Sequence, residues 1–229
     1  MNSVADSVLK RIRVHGRGWV FTPRDFLALG TRRAVDRALA RLTQAKAIRR
    51  LAQGIYDYPR VHKKLGILAP NPDDVAAVLA AKTGSRIQVS GARAANLMGL
   101  TDQVPAQLVY LTDGPAHRVK IGAQTILLKP ARPSRFPGAG TPAGLALQAI
   151  RAVGPHAKKD LVIRQLSRAV SARDRAQLAR LIKYAPGWSH EIIRQLVANG
   201  VRSHFHGAAV PPRVFQITKW FLSPSLPRA

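Results

Sequence analysis

The sequence contains no cysteine and only one glutamate, Glu191. The absence of cysteine excludes disulfides and zinc sites built from cysteine. Its eleven acidic residues are scattered over predicted helix starts and turns, whereas a metal-dependent nuclease brings several carboxylates together. No apolar run approaches the roughly 20 residues needed to cross a bilayer. Lys10, Arg11 and Arg13 precede any long apolar run, which argues against a signal peptide. We therefore expect a soluble, cytoplasmic protein that does not contact membranes.

Motifs for catalysis or cofactor binding are also missing. Gly138-Ala139-Gly140 lacks the Gly-Lys-Ser/Thr ending of a phosphate-binding loop, and there is no Gly-x-Ser-x-Gly. Asp73 and Asp74 are better explained as partners of a helix dipole than as metal ligands. His204 and His206 have a spacing that suits zinc on one face of a strand, but no acid or cysteine lies nearby in sequence. We expect no enzymatic activity, no metal and no cofactor.

Basic residues, by contrast, are in large excess. The 37 Lys and Arg against 11 Asp and Glu give a formal charge of +26 and a pI near 11.8. Residues 1–60 carry +9, residues 61–129 carry +4 and residues 130–229 carry +13. Such an imbalance predicts a polyanionic partner, because phosphates relieve the self-repulsion. The alternative is an arginine-rich proteome with a merely well-solvated surface.

Residues 22–59 have the pattern of a helix, a tight turn, a second helix and a hairpin. Thr22 and Pro23 predict a short helix that Gly30 ends, and Thr31 predicts the N-cap of the next helix. The second helix has an apolar stripe and a basic opposite face. The stripe consists of Val35, Ala38, Leu39 and Leu42, and the opposite face of Arg32, Arg33, Asp36, Arg37 and Arg41. Residues 47–51 and 55–59 predict two strands around Gln53-Gly54, with Arg49 and Arg50 on the first.

Together with a first helix over residues 3–14 and a short strand over 19–21, this order predicts a winged helix-turn-helix. The second helix then enters the major groove of double-stranded DNA, and Arg49 and Arg50 on the wing hold backbone phosphates or reach the minor groove. The predicted core residues are Val8, Ile12, Trp19, Phe21, Phe26, Leu27, Val35, Leu39, Leu42, Ile48 and Ile55. The predicted DNA-binding residues are Thr31, Arg32, Arg33, Asp36, Arg37, Arg41, Arg49, Arg50 and Gln53.

The rest of the chain predicts a second domain with an α+β fold. Residues 60–70 read as a basic, irregular connection, and Asn71-Pro72 starts a helix with Val75, Val78 and Leu79 inward. Short strands are predicted over 87–90, 108–112, 118–121 and 125–129, with a helix over 91–97, and a Pro- and Gly-rich loop covers 129–142. Four helices follow, over 145–153, 160–170, 173–184 and 189–198, with Leu161 among the inward residues and Arg164, Arg168, Arg175, Arg180 and Arg194 outside. In the tail after Gly200, we expect Phe215, Trp220 and Phe221 to dock on the body and the last few residues to be loose.

The predicted fold class is therefore α+β. An N-terminal winged helix-turn-helix occupies residues 1–60. A larger α+β domain occupies residues 61–229, with a small, mostly antiparallel sheet and C-terminal helices, and its segment 142–200 is mainly helical.

Three segments, GTRRAVDRALARL, IRRLAQGIYDYP and VSGARAANLMGLTDQVPAQLVYLTDG, together resemble the AbiE-type antitoxins of type IV bacterial toxin–antitoxin systems. The resemblance extends through TILLK to YAPGW, over roughly residues 1–198, and the middle segment is its more specific part. It implies a transcriptional autorepressor that binds inverted repeats in its own promoter. It also implies a functional partner, a nucleotidyltransferase-like toxin, which is counteracted without a stable complex. Carried onto this chain, it makes Arg32, Arg33 and Arg37 operator-reading candidates and Arg49, Arg50 and Gln53 wing contacts.

Three alternatives stay open. One is a winged-helix regulator without antitoxin activity. Another is a general RNA-binding protein, for which the middle strands offer only Tyr110 as a stacking aromatic. The third is a nuclease whose scattered acids meet only in the fold.

Overall fold

The computed structural model of the protein describes residues 3–103, 105, 107–122 and 124–202 and has the predicted α+β fold. The described chain divides into two compact units. The first comprises residues up to Lys82 with Val119–Ile126, and the second Thr83–Arg118 with the residues from Leu127 onward. The predicted domain boundary at residue 60 lies inside the first unit. The predictions for His204, His206, Phe215, Trp220, Phe221 and the loose last residues lie outside the described residues.

The helices and strands follow the predicted order closely. The helices are α1 Val4–His15, α2 Arg32–Gln44, α3 Pro72–Lys82, α4 Gly91–Leu97, α5 Pro142–Val153, α6 Lys159–Ala169, α7 Ala172–Arg180 and α8 His190–Arg202. The strands are β1 Val20–Phe21, β2 Arg49–Ala52, β3 Ile55–Asp57, β4 Val61–His62, β5 Gly66–Ile67, β6 Ile87–Val89, β7 Gln107–Thr112, β8 His117–Ile121 and β9 Gln124–Pro130. Short 3₁₀ helices cover Pro23–Leu29, Pro133–Arg135, Ile182–Tyr184 and Gly187–Ser189. The sheets have the strand orders β1-β3-β2, β4-β5 and β6-β7-β9-β8.

The first unit begins with the helix, strand, helix, helix, hairpin order of a winged helix. Ser3 and Asp6 form a reciprocal capping box at the start of α1, and Gly16 ends the helix. In the three-stranded sheet β3 pairs antiparallel with both β1 and β2. One continuous core joins these elements. Its buried members are Val8, Ile12, Phe21, Phe26, Val35, Ala38, Leu39, Leu42 and Ile48.

Two predicted core residues differ in position. Leu27 is 46% exposed, so its prediction as core was wrong. The segment Pro23–Leu29 is a 3₁₀ helix with three residues per turn, which directs Pro23, Phe26 and Leu29 inward and Leu27 outward. Trp19 lies half-buried at the edge of the core, where its ring stacks on His15 at 3.8 Å and contacts Phe21 and Phe26.

The connection after residue 60 was predicted to be irregular, but it contains a small hairpin. Strands β4 and β5 pair antiparallel, with Val61 opposite Ile67 and His62 opposite Gly66. The Nδ1 atom of His62 accepts hydrogen bonds from the backbone N–H groups of Lys64 and Leu65, each at 3.2 Å. Strands of two residues leave no period-two pattern in the sequence, so pattern reasoning missed them.

The second unit contains strands β6 and β7, the parts of β8 and β9 outside Val119–Ile126, and the predicted C-terminal helices. Strand β6 pairs antiparallel with β7, with Gln88 opposite Leu111. Helix α5 is buried along all of Ala143–Ile150, as its nearly unbroken apolar sequence requires. It packs closely on α4, since a Cβ added at Gly91 would lie 2.9 Å from the Cβ of Ala152.

Two orientations predicted for the C-terminal helices were wrong. Leu161 is 48% exposed, because the buried stripe of α6 consists of Val162, Ile163, Leu166 and Ala169. Arg175, predicted outside, is only 8% exposed. It lies one turn before Leu178 on the buried face of α7, so its position in the helix, and not its charge, determines its burial.

Candidate nucleic-acid interface

Helix α2 is held in place from its first turn and along its apolar stripe. The Thr31 side chain accepts a hydrogen bond from the backbone N–H of Ala34 at 3.3 Å, which confirms Thr31 as the N-cap. Val35, Ala38, Leu39 and Leu42 are buried in the core of the first unit, as predicted. The opposite face is therefore fixed toward solvent on a rigid helix.

Three arginines form a row on that exposed face. Arg33, Arg37 and Arg41 follow one another at intervals of four residues, so their side chains leave the same side of the helix. All three are exposed, and none has an ion-pair or hydrogen-bond partner within the described part of the chain. At about 1.5 Å of rise per residue the row spans roughly 12 Å, similar to the width of the major groove. We call these three residues the arginine row.

Arg32 and Asp36 lie beside the arginine row and bind each other. The Nε atom of Arg32 donates to both carboxylate oxygens of Asp36, at 3.0 and 2.9 Å. Both side chains are about half exposed. The contact neutralises the one carboxylate on this face and leaves Arg32 less free than the row to bind another acceptor.

The wing presents Arg50 and Gln53. Arg50 is exposed on β2 opposite Tyr56, and no partner for its guanidinium lies among the described residues. Gln53 is exposed in the turn, where Gly54 has a φ of +67° that suits glycine. The carbonyl oxygen of Gln53 accepts a hydrogen bond from Nζ of Lys82 at 3.0 Å. The tip of the wing is therefore tied to the end of α3.

Arg49, on the same strand, is bound by Asp57 and by the backbone of Leu68. Its Nε and Nη2 atoms donate to the two carboxylate oxygens of Asp57, at 3.0 and 2.6 Å. Nη2 also donates to the carbonyl oxygen of Leu68 at 3.1 Å. The Asp57 side chain is 1% exposed and the Arg49 side chain 33%. In this geometry Arg49 braces the wing, and Arg50 is the arginine directed to solvent.

The carboxylates of the first 60 residues are all occupied locally, whereas many cations are not. Asp36 and Asp57 bind arginines as described. Asp6 binds Ser3 in the capping box, and this hydrogen bonding lowers the pKa of Asp6. Asp25 accepts from the backbone N–H and hydroxyl of Thr22. The segment therefore keeps its excess of positive charge available at the surface.

Sequence reasoning left out several exposed groups of the first unit. Ala40 and Gln44 lie seven and eleven residues after Arg33, on the face of the arginine row, and helical periodicity alone would have found them. Lys63 and Lys64 form the exposed tip of the β4–β5 hairpin. In the sequence, only the two adjacent lysines between Val61 and Ile67 indicated an exposed basic site.

The described residues also bear on the other chemistries considered. Tyr110, the aromatic that the middle strands offered for stacking on RNA, is 1% exposed. No group of three or more His, Asp or Glu side chains placed to hold a metal ion was found within residues 3–202 where these are described. Among the helices of the same residues, none is long and apolar enough to cross a membrane.

Comparison with known proteins gives a family assignment. No curated protein matches the sequence. Among solved structures, the chain is similar to the crystal structure of RV2827C protein from Mycobacterium tuberculosis, with 16% identity and a TM-score of 0.42 over 98% of this chain and 83% of that chain. Structural similarity at this level does not support an inference about function. Residues 7–178, most of the chain, match the model of a family of unknown function, DUF6088. The protein therefore belongs to the DUF6088 family.

Proposed function

We propose that the protein binds double-stranded DNA through α2 and its wing and acts as a transcriptional regulator. The observation that carries the proposal is the arginine row, three exposed guanidinium groups without partners in the described chain, on α2, the second helix of the helix-turn-helix. Arginine donates two hydrogen bonds to the O6 and N7 atoms of guanine, and each such contact contributes about 1–3 kcal/mol of discrimination. The helix carries these groups without a competing carboxylate, because Asp36 is bound to Arg32.

In this proposal the wing contributes affinity and not sequence information. Arg50 and the lysines of the β4–β5 hairpin neutralise backbone phosphates, which hold the register of α2 on the duplex. Arg49 acts indirectly, since its guanidinium is bound to Asp57 and Leu68. Substitution of Arg50 with glutamine should then reduce the salt dependence of binding by about one phosphate contact, and loss of Arg49 should act through the stability of the wing.

The more specific part of the proposal is an antitoxin of the AbiE type that represses its own operon. Its support is the resemblance of the sequence, whose most specific segment supplies α4 and β7 in the second unit. The functional partner is then a nucleotidyltransferase-like toxin, and no stable complex with it is required. The antitoxin role and DNA binding are tested by separate experiments, and either can be refuted without the other.

The experiment for DNA binding measures affinity for the protein's own promoter region and for scrambled duplex across a range of salt. The test variant is Arg33→Gln/Arg37→Gln/Arg41→Gln. We expect specific affinity to fall more than 100-fold, because three contacts of about 1–3 kcal/mol each are lost, while weak salt-sensitive binding remains.

The matched control, Arg173→Gln/Arg180→Gln/Lys183→Gln, removes the same charge from exposed positions of the second unit. It should leave the ratio of specific to non-specific affinity unchanged. If the test variant gives the parent's footprint on the promoter, α2 does not read the operator.

The antitoxin part is tested by co-expression with the product of the adjacent gene, if that product is toxic and nucleotidyltransferase-like. Growth should be restored by the parent chain and equally by the arginine-row variant under a foreign promoter, because the variant keeps the second unit intact. Failure of the parent chain to restore growth would remove the antitoxin role and leave DNA binding as it is.

A further inference from the structure

A second cluster of arginines lies in the second unit, in a surface cleft of about 530 Å³. Helix α6 contributes Arg164, Ser167 and Arg168 to its lining, α7 contributes Arg175 and α8 contributes Gln195. The three arginines and Gln195 offer N–H donors and Ser167 offers an O–H donor, and such donors suit an anion. The cleft plays no part in the DNA-binding surface proposed above.

Arg175 is the unusual member of the cluster. It is 8% exposed, and it has no ion-pair or hydrogen-bond partner in the described chain. Its Nε atom and the Oγ atom of the neighbouring Ser167 are buried polar atoms without hydrogen bonds. Burial of an unpaired charge opposes folding, and buried charges in proteins are normally paired. Among the described residues, therefore, no carboxylate forms an ion pair with the guanidinium of Arg175.

The nearest carboxylates in sequence do not pair with Arg175. Asp174 binds the hydroxyl of Ser171 at the start of α7. Glu191 accepts from Nε2 of Gln195 and lies 3.7 Å from Nη1 of Arg194. Asp160 is the one carboxylate that lines the cleft, and it makes no hydrogen bond or ion pair within the described residues.

We propose that this cleft binds the phosphate group of a phosphorylated ligand of about nucleotide size. Three arginines against Asp160 leave two positive charges, which match the dianion of a phosphomonoester. The planar guanidinium suits the bidentate geometry of phosphate oxygens. The volume lies within the range of small-molecule sites, roughly 300–1,000 Å³. Arg175 anchors the phosphate at the floor of the cleft, Ser167 donates its hydroxyl, and Arg164 and Arg168 close over it from the exposed side.

The test compares thermal unfolding of the full chain, without DNA, in chloride and in pyrophosphate or AMP at constant ionic strength and pH. For the parent we expect a rise of about 5 °C in the transition of the second unit at saturating ligand. Arg175→Met should lose this rise. In chloride alone it should unfold at the same or a higher temperature than the parent, because a buried unpaired charge has been removed.

Further variants keep the result interpretable. Arg164→Gln/Arg168→Gln alters only exposed side chains, so it should fold normally and bind at least tenfold more weakly. Arg180→Gln, on the same helix as Arg175 but outside the cleft lining, should respond as the parent does. The proposal is overturned if neither phosphate compound stabilises the parent more than chloride does, or if Arg175→Met shows the parent's full response.

Competition identifies the source of the phosphate. Displacement of AMP by a 5′-phosphorylated oligonucleotide, but not by its unphosphorylated form, assigns the cleft to nucleic-acid ends. Displacement only by free nucleotides assigns it to a small ligand. Equal displacement by the unphosphorylated oligonucleotide would show that the site does not recognise a terminal phosphate and would overturn the proposal.

Discussion

The ion pair between Arg49 and Asp57 in the wing should contribute far more to the free energy of unfolding than the pair between Arg32 and Asp36 in α2. Both pairs join an arginine to both oxygens of an aspartate. They differ in exposure, since Asp57 is 1% exposed and Asp36 is 48% exposed. They also differ in geometry, since Arg32 donates through Nε alone and Arg49 through both Nε and Nη2. Burial and geometry therefore both favour the Arg49–Asp57 pair.

The magnitude follows from what each substitution leaves behind. Arg49→Met leaves the carboxylate of Asp57 buried and unpaired and should cost about 3 kcal/mol. Asp57→Asn should cost less, about 1–2 kcal/mol, because Arg49 is one-third exposed and can be solvated in part. For Arg32 and Asp36, an exposed pair four residues apart in a helix, the coupling should be only about 0.3–0.5 kcal/mol.

A double-mutant cycle for each pair gives the coupling directly. Urea unfolding can be followed by Trp19 in a Trp188→Phe/Trp220→Phe background, since the chain has three tryptophans and Trp19 packs in the first unit. We expect a coupling of at least about 1.5 kcal/mol for Arg49 and Asp57 that changes little in 1 M salt, which screens exposed charges much more than buried ones. Equal couplings for the two pairs, or loss of the Arg49–Asp57 coupling in salt, would refute this reasoning.

Two further predictions concern other sites. Burial and the neighbouring Asp73 raise the pKa of Asp74 to about 6, against the opposing effect of Arg60. The folded state therefore binds more protons than the unfolded state between about pH 4 and 6, and stability is lost as pH rises through this window. Asp74→Asn should stabilise the protein above pH 7 by at most about 3 kcal/mol and have little effect below pH 4. Urea titrations of the parent and the variant measure this, and a difference in unfolding free energy that stays constant from pH 4 to 8 would contradict it. In the second unit, a Cβ at Gly144 would lie 1.9 Å from the carbonyl oxygen of Gly138, whereas nothing lies within 4 Å of one at Gly187. Gly144→Ala should lower stability by more than about 2 kcal/mol and Gly187→Ala by less than about 1 kcal/mol. Equal melting temperatures for the two variants would show that the Gly138 segment moves aside freely.

The sequence by itself determined the local parts of this protein. The face of α2 follows from Thr31 as N-cap and from four apolar residues at helical spacing, both of which act within a few residues of chain. The wing follows in the same way from two short strands on either side of Gln53-Gly54. These features need no knowledge of distant contacts, so the winged-helix order and the arginine row were predictable.

Only the tertiary structure decided which charged groups have partners. Arg49 and Arg50 are adjacent and identical in sequence, yet Asp57 and Leu68 bind one of them and leave the other exposed. Arg175 reads as a surface residue because it is charged, but the packing of α7 places it in the buried face, where it lines the same cleft as the unpaired hydroxyl of Ser167. The physical reason is the same in both cases. Periodicity and caps act over one helical turn, whereas the free energy of a charge depends on burial and on partners that the fold brings from elsewhere in the chain.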